Sequence, residues 1–452
     1  MRTLVFAACF ALRAAWAGDG GVDPTFGEHG HVVFAPADAS LSAYATAIDD
    51  EGRILVGGSR WAFAEDGMPN QAVVWRLLAN GAPDPSFGDG GIAIVPILET
   101  TGLPAIQAVL PLHDGRVLAA GNLGGFGVAR LRADGGIDAD FGSGGITTIP
   151  LGDSGVGTAT VFAIARDGDG RILLAGSGNA ATDATWIVAV AVRLSSDGAL
   201  DTTFASAGRF VLASGDATTR QTTLFRGVAG DAVGRVWLSG RVQATASAAN
   251  FSALAVRLDA DGARDARFGN AGIVSANRHA GSDDNTGPAV LRGDRLTIGG
   301  ICDPVAGDDP AMCLLRLDAD GHPDDGFGAA GWVSMPLGQA PLRRDSAIAC
   351  GNDGRCVLLG MSLDPASSTR EFAVLRIDAR GAPDASFGDA GIARIAVPTT
   401  GDGTHVAARA IALQGGQPVA VGATDGVPSI SALYATRLAS DAMFTDGFDT
   451  VR

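Results

Sequence analysis

A seven-bladed β-propeller is the fold this sequence predicts, and three observations carry it. The motif Asp-x-x-Phe with a Gly four residues beyond its Phe occurs seven times at near-even spacing along the 452 residues. Each copy belongs to a unit of about sixty residues holding four short apolar runs rich in Val, Ile, Leu and Ala. Those runs are bounded by Gly, Asp, Asn and Pro, the strand-and-turn alternation of an all-β chain. Four antiparallel strands per unit match a propeller blade. Closing seven units into a ring also removes the edges that an open array would have to cap.

The motif pairs are Asp23 with Phe26, Asp84 with Phe87, Asp138 with Phe141, Asp201 with Phe204, Asp265 with Phe268, Asp324 with Phe327 and Asp384 with Phe387. The Phe-to-Phe spacings are 61, 54, 63, 64, 59 and 60. Gly follows Phe in six copies, Ala205 replaces it in the fourth, and a further Gly stands four residues after every Phe. The repeats lie near 22–78, 79–132, 133–195, 196–259, 260–318, 319–378 and 379–438, inside a propeller spanning 18–438.

In the first copy the four runs are His31–Ala35, Tyr44–Ile48, Ile54–Gly58 and Ala72–Leu77. An Asp/Asn-Gly-Arg type turn separates the second run from the third, a strong hairpin signal. It contributes Arg53, Arg116, Arg171, Arg235, Arg295 and Arg355, with Gln417 in the last copy. The third run ends at Gly58, Gly121, Gly176, Gly240, Gly300, Gly360 or Gly422. The fourth carries Arg76, Arg130, Arg193, Arg257, Arg316, Arg376 or Arg437 before a Leu or Ile. A blade could run from first to fourth strand, or from a second strand to the next repeat's first. In the second frame the N-terminal strand would complete the last blade. The sequence leaves both frames open.

Polar residues that recur in every repeat hold the supersecondary unit together. Arg257 alternates with Leu on a strand that a propeller covers on both faces, so its guanidinium needs a partner. Asp265 lies just beyond the turn, within reach for a bidentate pair. Phe268 is expected to anchor the turn between blades, and the Gly four residues later to adopt a backbone conformation that a Cβ would block. The recurrent Asp, Phe and Arg are thus read as structure, and any ligand site is expected on what the copies do not share.

Composition narrows the function. All 33 basic residues are arginine, the net charge is −16, and 46% of residues are apolar. So acidic a chain is not expected to bind nucleic acid or anionic membrane, which demand a basic patch. It suits a divalent cation or a neutral or basic partner. Residues 1–17 read as a signal peptide: Arg2, an apolar run from Leu4 to Leu12, and Ala15-Trp16-Ala17 as a small-x-small cleavage site. No other stretch has the ~20 apolar residues of a membrane-spanning helix. The product is expected to be secreted, or to lie at the cell surface or in the periplasm.

Four cysteines remain after the signal. Each close pair flanks a loop between two apolar runs, and cross-strand neighbours at a hairpin come near enough to bridge. Cys302–Cys313 and Cys350–Cys356 are the expected disulfides, with free buried thiols the alternative.

Catalytic signatures are sparse. The six histidines (His29, His31, His113, His279, His322, His405) show no metal-binding spacing. Gly152-Asp153-Ser154-Gly155 resembles a serine-protease nucleophile segment inside an unrelated repeat array, where a tetrapeptide alone makes no triad. Asp167-Gly168-Asp169-Gly170 resembles the start of a calcium loop, lacks its closing Glu, and falls on the recurrent hairpin turn. Two acidic pairs, Asp283 with Asp284 and Asp308 with Asp309, stand outside the repeat. They are read as loop charge, with weak cation binding, calcium included, as the alternative.

The pattern Leu258-Asp259…Gly262…Asp265…Phe268-Gly269…Gly272, repeated at Leu317-Asp318…Gly321…Asp324…Phe327-Gly328…Gly331, resembles the delta-60 repeat of bacterial secreted and surface proteins. The resemblance covers residues 22–438, departs at Ala205, and in the last copy lacks the Arg turn. It implies a propeller-like β array and no particular activity. The tail, 439–452, holds Met443-Phe444-Thr445-Asp446-Gly447-Phe448-Asp449. That stretch is similar to a short ending of some secreted Gram-negative proteins; a frayed copy of the repeat motif is the other reading.

The expectation is therefore an exported monomer that binds an extracellular ligand or surface component without turning it over. The alternative is a hydrolase or lyase with a cation in the central channel, which needs polar side chains from several blades to converge there.

Overall fold

The computed structural model describes residues 18–36, 39–62, 70–97, 103–215, 219–243, 250–279, 282–303, 310–337, 346–364, 366–367, 369–398, 406–425 and 431–440. The expected signal peptide and the tail beyond 440 lie outside the described residues.

The strands form seven four-stranded antiparallel sheets arranged as a seven-bladed β-propeller. Each blade takes three strands from one repeat and its outermost strand from the next, so the second frame is the one adopted. The first blade runs from Ala39–Ile48 through Ile54–Ala62 and Gln71–Leu77 to Ile92–Val95. The seventh is completed by the N-terminal strand His31–Phe34, whose Val33 pairs with Tyr434 of Ser431–Arg437. Among the described residues, no helix is long and apolar enough to cross a membrane.

The innermost strands are Ala39–Ile48, Ala105–Pro111, Val156–Arg166, Thr223–Gly230, Asp283–Arg292, Ala347–Cys350 and Ala407–Gln414. Each touches the inner strand of the neighbouring blade. Apolar side chains of strands and turns fill the seams; Val74, Phe87, Ile106 and Leu131, for example, come from two adjacent blades and share one cluster. Along the inner strand Ala39–Ile48, buried and half-buried residues alternate as far as Ala45.

Both disulfides join adjacent strands. Cys302–Cys313 staples the second and third strands of the fifth blade, and Cys350–Cys356 spans the first hairpin of the sixth.

Candidate functional site

The recurrent residues build a latch between blades. In every copy the Arg Nε donates to the motif aspartate's Oδ2: Arg76 to Asp84 at 2.7 Å, Arg130 to Asp138 at 2.6 Å, Arg193 to Asp201 at 2.7 Å, Arg257 to Asp265 and Arg316 to Asp324 at 2.9 Å, Arg376 to Asp384 at 3.0 Å, and Arg437 to Asp23 at 2.8 Å. The pairing differs from the bidentate one expected, because the guanidinium is divided. Its Nη1 crosses to the next repeat's turn, as Arg76 does to Ala133 O at 2.7 Å and Arg193 to Ala260 O at 2.6 Å.

The aspartate is divided too. Its Oδ1 accepts the backbone N–H two residues on, as Asp84 does from Ser86 at 2.9 Å, which holds the turn that presents Phe87. Phe87 is fully buried, with the Arg76 guanidinium 4.3 Å from its ring centroid on one side and the next blade's turn glycine, Gly135, on the other. Gly88 N–H closes the latch on Asp134 O at 2.7 Å.

The other copies repeat this arrangement. Phe141 is fully buried, with the Arg130 guanidinium 4.8 Å from its ring centroid and the turn glycine Gly198 against its edge. Phe327 lies under Arg316 at 4.2 Å, against Gly381. Phe387 is fully buried under Arg376 at 4.4 Å, and Gly20 of the N-terminal segment takes the turn glycine's place. Phe141, Phe327 and Phe387 therefore stand in the seams between blades and away from the channel cavity.

The glycine four residues after Phe has positive φ in all seven copies, 84° to 101°. Ala205, which replaces the Gly after Phe, keeps that position's conformation with φ 47°. The polar side chains the repeat shares are thus engaged inside or between blades.

The channel is built by a different device. The inner strands of blades one to five and seven each carry a register shift where they pair with the second strand, between Ala43/Ala45, Ile106/Ala108, Val161/Ala163, Phe225/Gly227, Thr286/Ala289 and Ala408/Ala410. A β-bulge re-aims the extra side chain out of the sheet. The bulged residues are Tyr44, Gln107, Phe162, Arg226, the Gly287-Pro288 step and Arg409; Ser346, just before the sixth blade's inner strand, occupies the equivalent place.

The recurrent glycine ending the third run makes room for the bulge. A Cβ at Gly58 would lie 2.0 Å from Ser42 O, at Gly176 2.0 Å from Thr160 O, and at Gly240 1.9 Å from Leu224 O. The backbone curls over these positions, and only hydrogen fits there. The chain thus shares a glycine in order to vary the residue opposite it.

Six of the seven blades bring these residues to one cavity of about 400 Å³ on the channel, lined by Tyr44, Gln107, Arg226, Arg241, Asn285 and Arg409, with Thr286, Gly287, Pro288 and Ser346 completing the wall. The third blade contributes underneath: the Arg226 guanidinium lies 4.0 Å from the Phe162 ring centroid. Arg241 stacks on Phe251 at 4.8 Å and Arg409 on Tyr44 at 5.6 Å. Stacking of this kind holds a guanidinium flat. Gly287 makes space for Arg226, whose Cβ would stand 2.9 Å from a side chain placed there. Asn285 Oδ1 is buried with no hydrogen-bond donor among the described residues. Among those lining the cavity there is also no carboxylate.

The acidic candidates lie elsewhere. Asp283 and Asp284 do not lie in a loop: they begin the fifth blade's inner strand. Asp283 Oδ1 accepts Phe251 N–H at 2.9 Å. Asp284 is fully buried, takes hydrogen bonds from Arg278 N–H at 2.6 Å and Ser282 Oγ at 2.9 Å, and is pushed by burial above the usual carboxylate range. The second acidic pair, Asp308 and Asp309, lies outside the described residues. No group of three or more His, Cys, Asp or Glu stands in metal-binding array among the described residues. Gly152–Ser154 forms a short 3-10 turn. Asp167 caps its hairpin turn, pairing with Arg171 at 2.7 Å.

The channel residues were not foreseen from sequence, although a signal exists. Tyr44, Gln107, Phe162, Arg226 and Ser346 each stand fourteen residues before the recurrent glycine of the same copy, and Arg409 thirteen before Gly422.

Residues 52–87 and 168–204 match a family described as a domain of unknown function (DUF5122) beta-propeller. No curated protein matches the sequence. Similar solved structures include a catalytically inactive virginiamycin B lyase from Staphylococcus aureus with quinupristin (11% identity, 90% of this chain and 98% of that one, TM-score 0.45). A Dyadobacter fermentans protein of unknown function is similar at 12% identity over 92% of this chain and 100% of the other, TM-score 0.44. A GH93 α-L-arabinofuranosidase of Fusarium graminearum has 10% identity over 90% and 96%, TM-score 0.41.

Proposed function

We propose that this chain is an exported binding propeller of the delta-60 type, which reads a small polar ligand in its central channel and leaves it chemically unchanged. The convergence of non-repeated polar side chains from six blades on one cavity carries this reading. Polar residues converging in a concavity are the mark of a ligand site. The shared Asp, Phe and Arg are already engaged in the latch, so a ligand is left with the bulge residues. The alternative enzyme needs a cation in the channel, whose described wall is made of arginine, amide, hydroxyl and Tyr44 side chains.

Export is supported by the form of residues 1–17 and by two disulfides, which persist in oxidising compartments.

An array of glycans and peptides tests this function, probed with the protein and with a Tyr44→Ala/Gln107→Ala variant of unchanged melting temperature. Capture at least tenfold weaker with the variant is expected. Capture indifferent to the channel variant would place binding elsewhere, and a cleaved product on a captured spot would overturn the non-enzymatic reading.

A further inference from the structure

We infer that the channel ligand is an uncharged, polyhydroxylated molecule, a neutral mono- or disaccharide. This rests on the channel being the binding site and adds the chemistry of what it holds. Four side chains of the cavity wall make no hydrogen bond among the described residues: the Tyr44 and Ser346 hydroxyls and the Gln107 and Asn285 amides. They come from the first, second and fifth blades and from the approach to the sixth, so they meet a ligand from several sides.

The other polar groups of the wall are already engaged. The Thr286 hydroxyl donates to Gly240 O at 3.1 Å. Arg226, Arg241 and Arg409 stack on Phe162, Phe251 and Tyr44, and each holds a further interaction within the chain. The hydrogen bonds left for a ligand are therefore those of neutral groups.

Amides and hydroxyls each present both a donor and an acceptor. A sugar hydroxyl does the same, so a ring with hydroxyls around its rim can pair with all four side chains at once. A carboxylate or sulfate only accepts and an ammonium only donates, so either would leave half of this capacity unmatched. An ammonium would also want a carboxylate, and none is among the lining residues. The chain's net charge of −16 repels an anion on approach.

Asn285 points the same way from its burial. Its Oδ1 is buried without a donor, which costs stability. The last torsion of an amide side chain is soft, so this oxygen can turn to meet a ligand O–H in the cavity it lines. The volume of about 400 Å³ lies at the small end of ligand sites, room for a mono- or disaccharide and not for a polymer.

Calorimetric titration tests this with neutral mono- and disaccharides, the corresponding uronates and amino sugars, and deoxy analogues of any sugar that binds. A neutral sugar is expected to bind with an affinity that stays level as salt rises, because it has no Coulombic partner. Its uronate and amino counterparts should bind no more tightly. Removing a ligand hydroxyl, or introducing Asn285→Leu or Gln107→Leu, should weaken binding about fivefold or more, the share of one hydrogen bond. Asn285→Leu should also melt no lower than the unaltered protein, because it removes an unpaired buried oxygen. A lower melting temperature would assign that amide to the fold and overturn its part in the site.

A uronate or amino sugar bound more tightly than the neutral sugar, with affinity falling as salt rises, would overturn the neutral class and leave the channel as the binding site. A neutral sugar bound equally well by both leucine variants would place it outside the channel, against this inference and the reading beneath it. If no sugar binds, the inference is overturned. Capture on the glycan and peptide array that is lost with Tyr44→Ala/Gln107→Ala would then show that the channel reading survives it.

Discussion

Asp19 completes the sixth blade's latch by binding Arg376, its Oδ1 accepting from Nη1 at 2.8 Å. In the other six copies this Nη1 donates to a carbonyl of the next repeat's turn. The seventh blade's turn is split between the two ends of the described chain. Gly20 N–H donates to Ala439 O at 2.9 Å and Ala439 N–H to Gly21 O at 2.7 Å, the same pair of bonds that Gly135 and Arg132 make with Arg132 and Gly136 in an unbroken copy. At the one turn held together without a peptide bond, the Asp19 carboxylate accepts from the Nη1 that donates to a carbonyl in the other copies.

Asp19→Ala should therefore open the ring where it is weakest. The Arg376 side chain is 3% exposed and keeps Asp384, so the expected loss is about 1–3 kcal/mol, the cost of one charged partner withdrawn from a buried group. Urea unfolding measures it. A loss no larger than that of exposed Asp89→Ala would mean that closure rests on the strand His31–Phe34 alone.

Phe268→Ala removes a fully buried ring that meets Trp237 edge-on at 5.2 Å and carries the Arg257 guanidinium at 4.8 Å. The expected loss is about 3–5 kcal/mol, as for other buried Phe truncations. Arg257, 2% exposed, would keep its ion pair with Asp265 but lose its stacking surface. A melting curve equal to that of the unaltered protein would show that the latch does not need its aromatic anchor.

Gly240→Ala and Gly90→Ala separate two uses of glycine. A Cβ at Gly240 meets Leu224 O at 1.9 Å, so the bulge that carries Arg226 must give way; a loss of about 3 kcal/mol or more is expected, at the upper end for overpacking, together with weaker binding of channel ligands. Gly90 has φ 60° and nothing within 4 Å of its Cβ. Other copies place Ala207, Ala271, Ala330 and Ala390 there with φ near 50°, so Gly90→Ala should cost only about 1 kcal/mol. Equal losses in the two variants would refute the steric account of the shared glycine.

The difference between those glycines also shows what was legible in the sequence. A shared residue is visible by its recurrence, so the seven units and the Arg–Asp contact could be read directly, whereas the two disulfides were legible from cysteines flanking short loops. Recurrence is silent about the blade frame, because either frame repeats with the same period; pairing of His31–Phe34 with Ser431–Arg437 is a long-range contact. It is silent about the channel for the opposite reason. Tyr44, Gln107, Phe162, Arg226 and Arg409 share a place and no chemistry, and only the bulge shows that the place is one. Asp283 and Asp284 misled because acidic pairs are usual in loops, whereas here the inner strand begins with them.

Acid should unfold the ring in two phases. Burial acts to raise all seven motif aspartates, Asp23, Asp84, Asp138, Asp201, Asp265, Asp324 and Asp384, but hydrogen bonds and the partner arginine outweigh it, and each is held below its ordinary value. A carboxyl more acidic in the fold than in the unfolded chain stabilises the fold in full above its unfolded pKa of about 4, and that stabilisation is lost as pH falls through the folded value. Asp284 and Glu371, raised mainly by burial, act in the opposite sense, two groups against seven. The main loss is thus expected below about pH 4, with net proton uptake on unfolding. A shallower loss precedes it. Burial, then the nearby His29, lowers His31, which sits on the closing strand with Nδ1 2.8 Å from the Tyr434 hydroxyl. Its neutral form is favoured by folding, so stability begins to fall as pH drops below about 6.5, where the unfolded chain takes up the proton first. Urea midpoints at pH 7, 5.5, 4 and 3 measure both phases. His31→Gln should flatten the stretch between pH 7 and 5.5 and leave the steeper one intact. A midpoint that stays level down to pH 3 would contradict the latch as the source of stability.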